Sequence, residues 1–319
     1  MKCVLVMLDK SPITSITGLM EILSLANSLV KSDKRLELTL VSLDGNPVSC
    51  LGGLTLSVHG KLEDLSQADL VVIGAIGHPA SRLEEFDSGL LYWLNARHRE
   101  GSKIASICTG AFVLAASGLL NGLQATTHWQ CASLFRQRYP EVHLRSDEMI
   151  TQQERLYCSA GASAYQDMGI YLVRDLFGAA IAQQCAKTIL IDSDRLSQAQ
   201  YAEFKPSRQH NDALIHTLQD WLELHLIDDF TIVDLAKKIH LSERQLKRRF
   251  KQATDESPLA YIQALRIESA KKSLEGSNKA ISIISRESGY EDVRFFRQLF
   301  KRLTGLPPSD YREKFSIVR

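Results

Sequence analysis

The sequence predicts two domains: an α/β domain with a mostly parallel sheet flanked by helices, and an all-α domain with two helix-turn-helix units. Strand-length apolar runs alternate with amphipathic helix patterns over residues 1–190, which is typical of a parallel sheet with crossover helices. Between residues 231 and 314, a pair of short helices with a basic second member occurs twice. A polar stretch with Pro206, at residues 192–211, indicates a linker. We therefore expect a domain at 1–195, a linker at 196–211 and a domain at 212–319.

In the first domain, apolar runs predict strands at residues 3–8, 36–42, 68–74 and 103–107. Helical periods predict helices at residues 16–30, 90–98 and 111–116. Ligands of open parallel sheets bind outside the carboxyl ends of the strands. Those ends fall near Asp9, residues 74–77 and Cys108, so we expect a ligand pocket there.

Residues 106–115, SICTGAFVLA, form the most informative stretch of this domain. The predicted strand ends at Cys108, and the next two residues lead directly into a helix. Such a turn lifts one side chain above the sheet edge, and the helix N-terminus beneath it favours an anion or a thiolate. Three interpretations stay open: Cys108 is a nucleophile, a wall of a ligand pocket, or a small buried residue. A nucleophile needs a base, and no motif ties His98 or His128 to Cys108.

The duplicated pattern covers residues 235–261 and 284–311. With Phe250 placed on Phe300, further residues match at an offset of 50: Lys251, Thr254, Pro258 and Tyr261 match Lys301, Thr304, Pro308 and Tyr311. The second copy is one residue longer at its turn, where Gly289 suits a left-handed conformation. The apolar positions of residues 257–276 predict one long helix that fixes the two units relative to each other.

The expected helix starts define which residues face outward. Thr231 with Asp234 and Ser242 with Gln245 form capping-box patterns in the first copy, and Asp292 is the expected cap in the second. A tight helix pair with a basic second helix is the geometry that enters the DNA major groove. We therefore expect DNA contacts from Arg244, Lys247, Arg248 and Lys251 in the first unit, and from Val293, Arg294, Arg297 and Gln298 in the second.

These residues resemble the AraC-type DNA-binding domain over residues 210–315. The likeness rests on LxRxF at 246–250, RIESA at 266–270 and the closing pattern GY…FKRLTGLPPSDYR at 289–312. The resemblance implies that two recognition helices enter successive major grooves on one face of the DNA. One departure is Gln298, which stands where such second helices commonly carry arginine, while Arg297 comes one place earlier.

Residues 106–129, SICTGAFVLAASGLLNGLQATTHW, resemble the PfpI-like, class I glutamine-amidotransferase-like domain of GlxA-like AraC-type regulators. CSAGASAYQDMGIYLV at 158–173 and QAQYAEF at 198–204 share the likeness, which implies a flavodoxin-like sheet. In hydrolytic relatives a histidine follows the elbow cysteine and an acid lies near the first helix, whereas this chain has Thr109 and Ser15 there. We therefore expect a sensor pocket without catalytic residues, walled by Asp9, Ser15, Ala75, Ile76, His78, Cys108, Thr109, His128 and Ala162.

Composition limits the protein class without naming it. With 319 residues, 45% hydrophobic and 24% charged, the chain is long enough for two globular domains. It shows no signal peptide and no apolar run of ~18 residues, so we expect no membrane span and a cytoplasmic location. Six scattered cysteines without a CxxC pair indicate reduced thiols, and we expect no metal and no cofactor. The net charge is only +1, so the DNA-binding argument rests on local clusters of basic residues.

The main hypothesis is a sequence-specific transcription regulator controlled by a small metabolite. Its expected partners are double-stranded operator DNA, an effector that the resemblance suggests is nitrogen-containing, and a second copy in a homodimer, with RNA polymerase as a further candidate. The alternative is a cysteine-dependent hydrolase or glyoxalase-like enzyme fused to a DNA-binding domain, motivated by Cys108. A third possibility is a constitutive DNA-binding protein whose first domain only dimerises.

Overall fold

A seven-stranded sheet organises the first part of the chain. The computed structural model describes residues 1–79, 86–192, 195–208 and 210–318, and divides the chain into two units, Met1–Gln198 and Ala199–Arg319. The strands are β1 Lys2–Val6, β2 Glu37–Ser42, β3 Val48–Ser49, β4 Thr55–Leu56, β5 Gly60–Lys61, β6 Leu70–Ile73, β7 Lys103–Ser106, β8 Gln124–Ala125, β9 His143–Leu144, β10 Ile150–Gln153 and β11 Leu156–Ser159. The helices of the first unit are α1 Thr14–Leu29, α2 Ser88–Arg99, α3 Ala111–Ala116, α4 Ala132–Arg138, α5 Ala164–Phe177 and α6 Ala179–Thr188.

The strand order of the main sheet is β10-β11-β7-β6-β1-β2-β5. All neighbours in it pair in parallel except β10 and β11, which form an antiparallel pair that the sequence patterns did not predict. Five strands in the order β2-β1-β6-β7-β11 reproduce the flavodoxin-like 2-1-3-4-5 arrangement. The predicted mostly parallel sheet is therefore confirmed, and its order reverses between β1 and β6, where such sheets bind ligands.

Alternate side chains of the strands enter two separate cores on the two faces of the sheet. In β1, Cys3 and Leu5 belong to the core that includes Leu19 of α1 and Met168 of α5. Val4 and Val6 of the same strand belong to the opposite core, together with side chains of α2, α3 and α4. Because both faces are covered, the strands appear in the sequence as continuous apolar runs instead of alternating patterns.

The second unit is all-helical. Its helices are α7 Ala213–Leu224, α8 Ile232–Lys238, α9 Glu243–Thr254, α10 Pro258–Gly276, α11 Ile281–Glu287, α12 Val293–Thr304 and α13 Pro308–Phe315. The N-terminal part of α10 supplies Tyr261 and Ile262 to the core around Phe250. Its C-terminal part supplies Ile267 to a second core around Phe300. The predicted long helix therefore joins two small cores, one for each helix-turn-helix pair.

Local capping starts these short helices, as the sequence predicts. Thr231 and Ser242 form complete capping boxes with Asp234 and Gln245, and Asp292 accepts hydrogen bonds from the first amides of α12. Each box satisfies backbone donors that would otherwise lack a partner at the helix start. Both helix-turn-helix pairs therefore begin their second helix at the position that the sequence indicates.

Residues of the stretch expected to be a linker, 196–211, belong to both units. Residues 196–198 pair with the first unit, where the amide of Met149 donates to the carbonyl of Leu196 (3.0 Å). From Ala199 onward the chain is part of the second unit, and residue 209 lies outside the described residues. In the described ranges, no helix combines the length and the apolar character that a bilayer span requires.

Candidate effector pocket and nucleic-acid interface

A strained turn after β7 places Cys108 at the carboxyl edge of the sheet. Cys108 has a positive φ of 57°, a region that non-glycine residues rarely adopt. It begins a short 3-10 turn that runs into α3, and its side chain is only 8% exposed. A Cβ at Gly110 would lie 2.6 Å from the carbonyl oxygen of Gly74, so only glycine lets this turn pack against the loop after β6. The elbow predicted from the sequence therefore exists in the structure.

The loop after β6 is held by two hydroxyl groups from the predicted pocket. Ser15 Oγ accepts a hydrogen bond from the amide of Ala75 (3.2 Å), and Thr109 Oγ1 accepts one from the amide of Ile76 (3.0 Å). Both loop residues are buried. An oxyanion hole requires backbone donors directed at the reacting group. These two amides are already bound to side chains of the protein, which does not favour an oxyanion hole at this loop.

The thiol of Cys108 lies in an environment that keeps it protonated. Burial raises its pKa, and hydrogen bonds from the backbone of Ala162 and Thr109 oppose this shift only in part. The thiolate is the nucleophilic form of cysteine. A raised pKa, together with threonine in the place of the adjacent histidine, suits a pocket wall better than a nucleophile.

His128 covers the other side of the elbow. Its ring lies over Gly161, where an added Cβ would come within 1.9 Å of His128 Cδ2. Its Nδ1 accepts a hydrogen bond from the amide of Gln130 (3.2 Å). Burial lowers the pKa of His128, and the nearby His78 lowers it further. The imidazole of His128 is therefore neutral near pH 7. Its position is fixed by contact with Gly161 and by the hydrogen bond from the Gln130 amide.

The structure thus groups most of the predicted pocket residues but gives one of them a different contact. Ser15 bonds Ala75 and Thr109 bonds Ile76, and Thr127 Oγ1 donates to the carbonyl of Cys108 (2.9 Å). The carboxylate of Asp9 instead accepts a hydrogen bond from the amide of Ser49 (3.0 Å) and holds the β3–β4 hairpin. Among the described residues, no cluster of three or more His, Cys, Asp or Glu side chains could hold a metal ion.

In the second unit, α9 presents the four predicted basic residues on its exposed face. Lys247 pairs with Glu243, and Lys251 pairs with Asp255, both within one helical turn. Arg244 and Arg248 have no acidic partner in the part of the chain that the structure describes. Their guanidinium groups are therefore available to bind phosphate or a guanine edge.

Arg249, a half-buried residue of the same helix, has a structural contact instead. Its Nε and one terminal nitrogen donate to the two carboxylate oxygens of Asp212, at 2.8 and 2.7 Å. Asp212 is also the N-cap of α7 and accepts from the amide of Ile215 (3.2 Å). The pair ties the recognition helix α9 to α7.

On α12, Arg294, Arg297 and Gln298 are exposed and Val293 is half-buried. No acid pairs with Arg294 or Arg297 within the described ranges. Sequence reasoning missed Phe295, which is 44% exposed between these residues and whose ring centroid lies 5.8 Å from that of Tyr290. An exposed aromatic ring on a recognition helix can contact a thymine methyl group. Alignment of the two copies places Phe295 at the position of the polar Gln245, which indicates that Phe295 is exposed.

Comparison with known proteins matches this arrangement. The DJ-1/PfpI family model matches residues 11–175, and a helix-turn-helix domain model matches residues 235–314. The HTH-type transcriptional regulator CdhR of Pseudomonas aeruginosa is 28% identical over 86% of this chain and 80% of its own length. The HTH-type transcriptional regulator GbdR of the same species is 26% identical over 96% of this chain and 83% of its own length. Drosophila melanogaster DJ-1beta shares the fold, with a TM-score of 0.53 at 19% identity over 60% of this chain and 98% of its own.

An elbow-bearing α/β unit joined to a duplicated helix-turn-helix unit defines a transcription regulator that binds DNA. The chain belongs to the DJ-1/PfpI family, whose model covers more than half of it, and its C-terminal unit is of the AraC type. Both resemblances stated from the sequence are confirmed.

Proposed function

We propose that the effector of this regulator binds at the carboxyl edge of the sheet, between the elbow and the loops after β1 and β6. The observation that carries the proposal is the turn at Cys108: a strained residue with a protonated thiol at the carboxyl end of β7, the strand next to β6, whose own carboxyl end lies at the reversal of strand order. His128 and Ala162 flank it, and Ser15 and Thr109 shape its floor. Strain at a buried position indicates a functional role, and the environment of the thiol favours binding over catalysis.

The test is a thermal-shift screen of the full chain against amino acids, quaternary amines and small aldehydes. A ligand present at ~100 times its Kd should add ~2.7 kcal/mol to the free energy of unfolding. Ala162→Trp should abolish that shift, because Ala162 is exposed beside the thiol and a large side chain there fills the pocket. Tyr92→Trp on α2 is the control, since Tyr92 is exposed and belongs to no predicted site. A ligand that shifts Ala162→Trp as much as the parent would place the sensor elsewhere.

We further propose that Arg244, Arg248, Arg294 and Arg297, which pair with no acid among the described residues, read DNA bases, while Lys247 and Lys251 contact phosphates. The duplex for this test is selected from a random-sequence library on the parent protein. Arg244→Ala or Arg248→Ala should weaken binding of that duplex by ~1–3 kcal/mol. Lys247→Ala should reduce the salt dependence by about one released counterion, because the proposal places this lysine on a phosphate. Arg99→Ala, in the first unit, removes the same charge and should change neither quantity.

The protein is proposed to act as a homodimer, because paired half-sites on DNA match the two-fold symmetry of a dimer. Sedimentation of the protein on the selected duplex should show two chains per site, and one chain per site would contradict this.

We also propose that the first unit performs no catalysis. Turnover of any compound of the screen by the parent, lost in Cys108→Ser, would favour the enzyme alternative.

A further inference from the structure

The last residues of the first unit bind the two segments that carry His128 and Ala162, which flank the proposed effector site. We call residues 195–198 the exit segment, because the chain passes from Gln198 to Ala199 into the second unit. Gln198 is 3% exposed, although its side chain is polar and it lies at the end of a unit. Buried polar side chains are retained where their hydrogen bonds are satisfied. The partners of Gln198 therefore show what this position is built to hold.

The Gln198 side chain binds the segment that carries His128. Its Nε2 donates to the carbonyl of Thr127 (2.7 Å), and its Oε1 accepts from the amide of Trp129 (3.1 Å). One primary amide thus bonds the backbone on both sides of His128. Since Thr127 Oγ1 donates to the carbonyl of Cys108 (2.9 Å), the same short stretch is bonded to the elbow on one side and to the exit segment on the other.

Arg195 binds the segment that follows Ala162. Its Nε donates to Asp167 Oδ1 (3.1 Å), and its terminal nitrogen donates to Ser163 Oγ (3.1 Å). Ser163 directly follows Ala162, whose backbone bonds the Cys108 thiol. The Asp167 side chain is buried, so loss of Arg195 would leave its carboxyl group without this partner. The exit segment is therefore attached to the His128 wall through Gln198 and to the Ala162 wall through Arg195.

Immediately after Gln198, the chain packs along the second unit. We call residues 199–207 the strap. Lys271, buried in α10, donates to the carbonyl of Ala202, and its neighbour Glu268 accepts from the amide of Phe204 (3.1 Å). Lys271 and Glu268 also form an ion pair at 2.9 Å. The polar groups of the strap backbone are thereby bonded to the helix that joins the two helix-turn-helix pairs.

The strap contacts the cores of both helix-turn-helix pairs. The Phe204 ring packs edge-on against Tyr261 of the first core, with centroids 5.3 Å apart. The Tyr201 ring packs edge-on against Phe315 beside the second core, at 5.7 Å. A displacement of the strap would therefore disturb packing under both recognition helices.

We propose that Gln198 is a positioning residue that couples the effector pocket to the DNA-binding helices through the strap. The inference rests on the proposed function and adds its mode of regulation. Binding of the effector shifts the segments that carry His128 and Ala162, and the exit segment moves with them. Because the strap continues the chain from the exit segment, its packing around α10 then changes. Coupling between two sites is reciprocal. DNA binding must therefore change the stability of the pocket walls, which makes the coupling measurable without the natural effector.

The experiment is hydrogen exchange of the full chain with and without the duplex selected from the random library. The readout is the amide of Trp129, which donates to Gln198. In the parent, the duplex should change its exchange rate by about fivefold or more, the lower range of typical allosteric coupling. Gln198→Met should remove this response. So should insertion of Gly-Ser-Gly-Ser between Gln198 and Ala199, which changes none of the residues that form the Gln198 and strap contacts above but lengthens the connection between them.

Asn27→Leu provides the matched control. Asn27 also exchanges one donated and one accepted hydrogen bond with a single backbone residue, Leu36 (2.8 Å each). Its loss should destabilise the first unit similarly while the response of Trp129 to DNA persists. If the parent binds the duplex but Trp129 does not respond, or if the response survives the insertion, the coupling proposal is overturned and the DNA-binding proposal stands. If the parent binds no duplex, both fall together.

Discussion

The two helix-turn-helix pairs have the same backbone plan but solve the tight turn with different residues. His240 and Gly289 occupy the left-handed position, with φ of 55° and 79°. In each pair the next amide closes the turn at 2.9 Å, from Leu241 to the carbonyl of Ala236 and from Tyr290 to that of Ser285. The extra residue of the second copy, Glu291, comes after this turn and before the Asp292 cap. The insertion therefore lengthens the connection without changing the turn.

The exposed positions differ more than the buried ones. Phe250 and Phe300 are both fully buried at matching sites. Arg249, which pairs with Asp212, corresponds to the buried Leu299, and the capping Gln245 corresponds to the exposed Phe295. The repeated fold is thus maintained by a few buried residues at fixed spacing. The remaining positions have diverged, so that the first pair uses polar contacts where the second uses apolar ones.

The strongest test of this comparison removes Arg266, whose side chain bonds the connection before the first pair and the turn of the second. Arg266 of α10 donates to the carbonyls of Leu226 (2.8 Å) and Asp228 (2.9 Å) before the first pair, and to that of Gly289 (3.0 Å) in the second. Arg266→Met keeps the aliphatic stem but leaves three acceptors without this donor, and should lower the free energy of unfolding by about 2–3 kcal/mol.

Urea denaturation of the full chain measures this effect. Lys272→Met, at an exposed position of the same helix, is the control and should change stability by less than about 0.5 kcal/mol. Equal stabilities of Arg266→Met and the parent would show that the two pairs are fixed by their cores alone.

A smaller effect should appear at the two left-handed positions, with opposite signs. Gly289→Ala should cost about 1–2 kcal/mol, because a side chain is disfavoured at this φ. The new Cβ would also lie 2.8 Å from the Arg266 guanidinium. His240→Gly should instead stabilise by about 0.5–1 kcal/mol, since it removes the same conformational cost. Thermal unfolding of both variants checks the signs, and destabilisation by His240→Gly would mean that its side chain makes a compensating contact.

The sequence predicts best what is determined locally. Capping boxes at Thr231 and Ser242 fix helix starts because both partners lie within four residues of each other. The pairing of Arg249 with Asp212 spans 37 residues and that of Gln198 with Thr127 spans 71, so no local pattern indicates either. Prediction of the pocket from the sequence is limited in the same way. The turn at Cys108 is readable from its spacing, whereas the binding of the Ala75 and Ile76 amides by Ser15 and Thr109 depends on how the loops pack.

The smallest expected effect is a loss of stability at acidic pH, and it should be confined to the first helix pair. Hydrogen bonds from Arg249 hold the pKa of Asp212 below its ordinary value of 3.8. A carboxyl group whose pKa is lower in the folded state stabilises the protein above its unfolded pKa, and that contribution is lost as the pH falls through the folded value. Because the pair is partly exposed, the contribution should be below about 1 kcal/mol.

Asp212→Asn keeps an oxygen that can cap α7 but removes the charge that attracts Arg249. The difference in unfolding free energy between parent and variant should therefore be largest near pH 6 and shrink as the pH falls below about 4. Asp292→Asn is the matched control, because it makes the same change at the cap of α12, where Leu299 replaces the arginine and no basic residue pairs with Asp292 among the described residues. A similar acid dependence in both variants would attribute the effect to the helix caps. The pairing of Asp212 with Arg249, which distinguishes the first helix pair from the second, would then not contribute to stability.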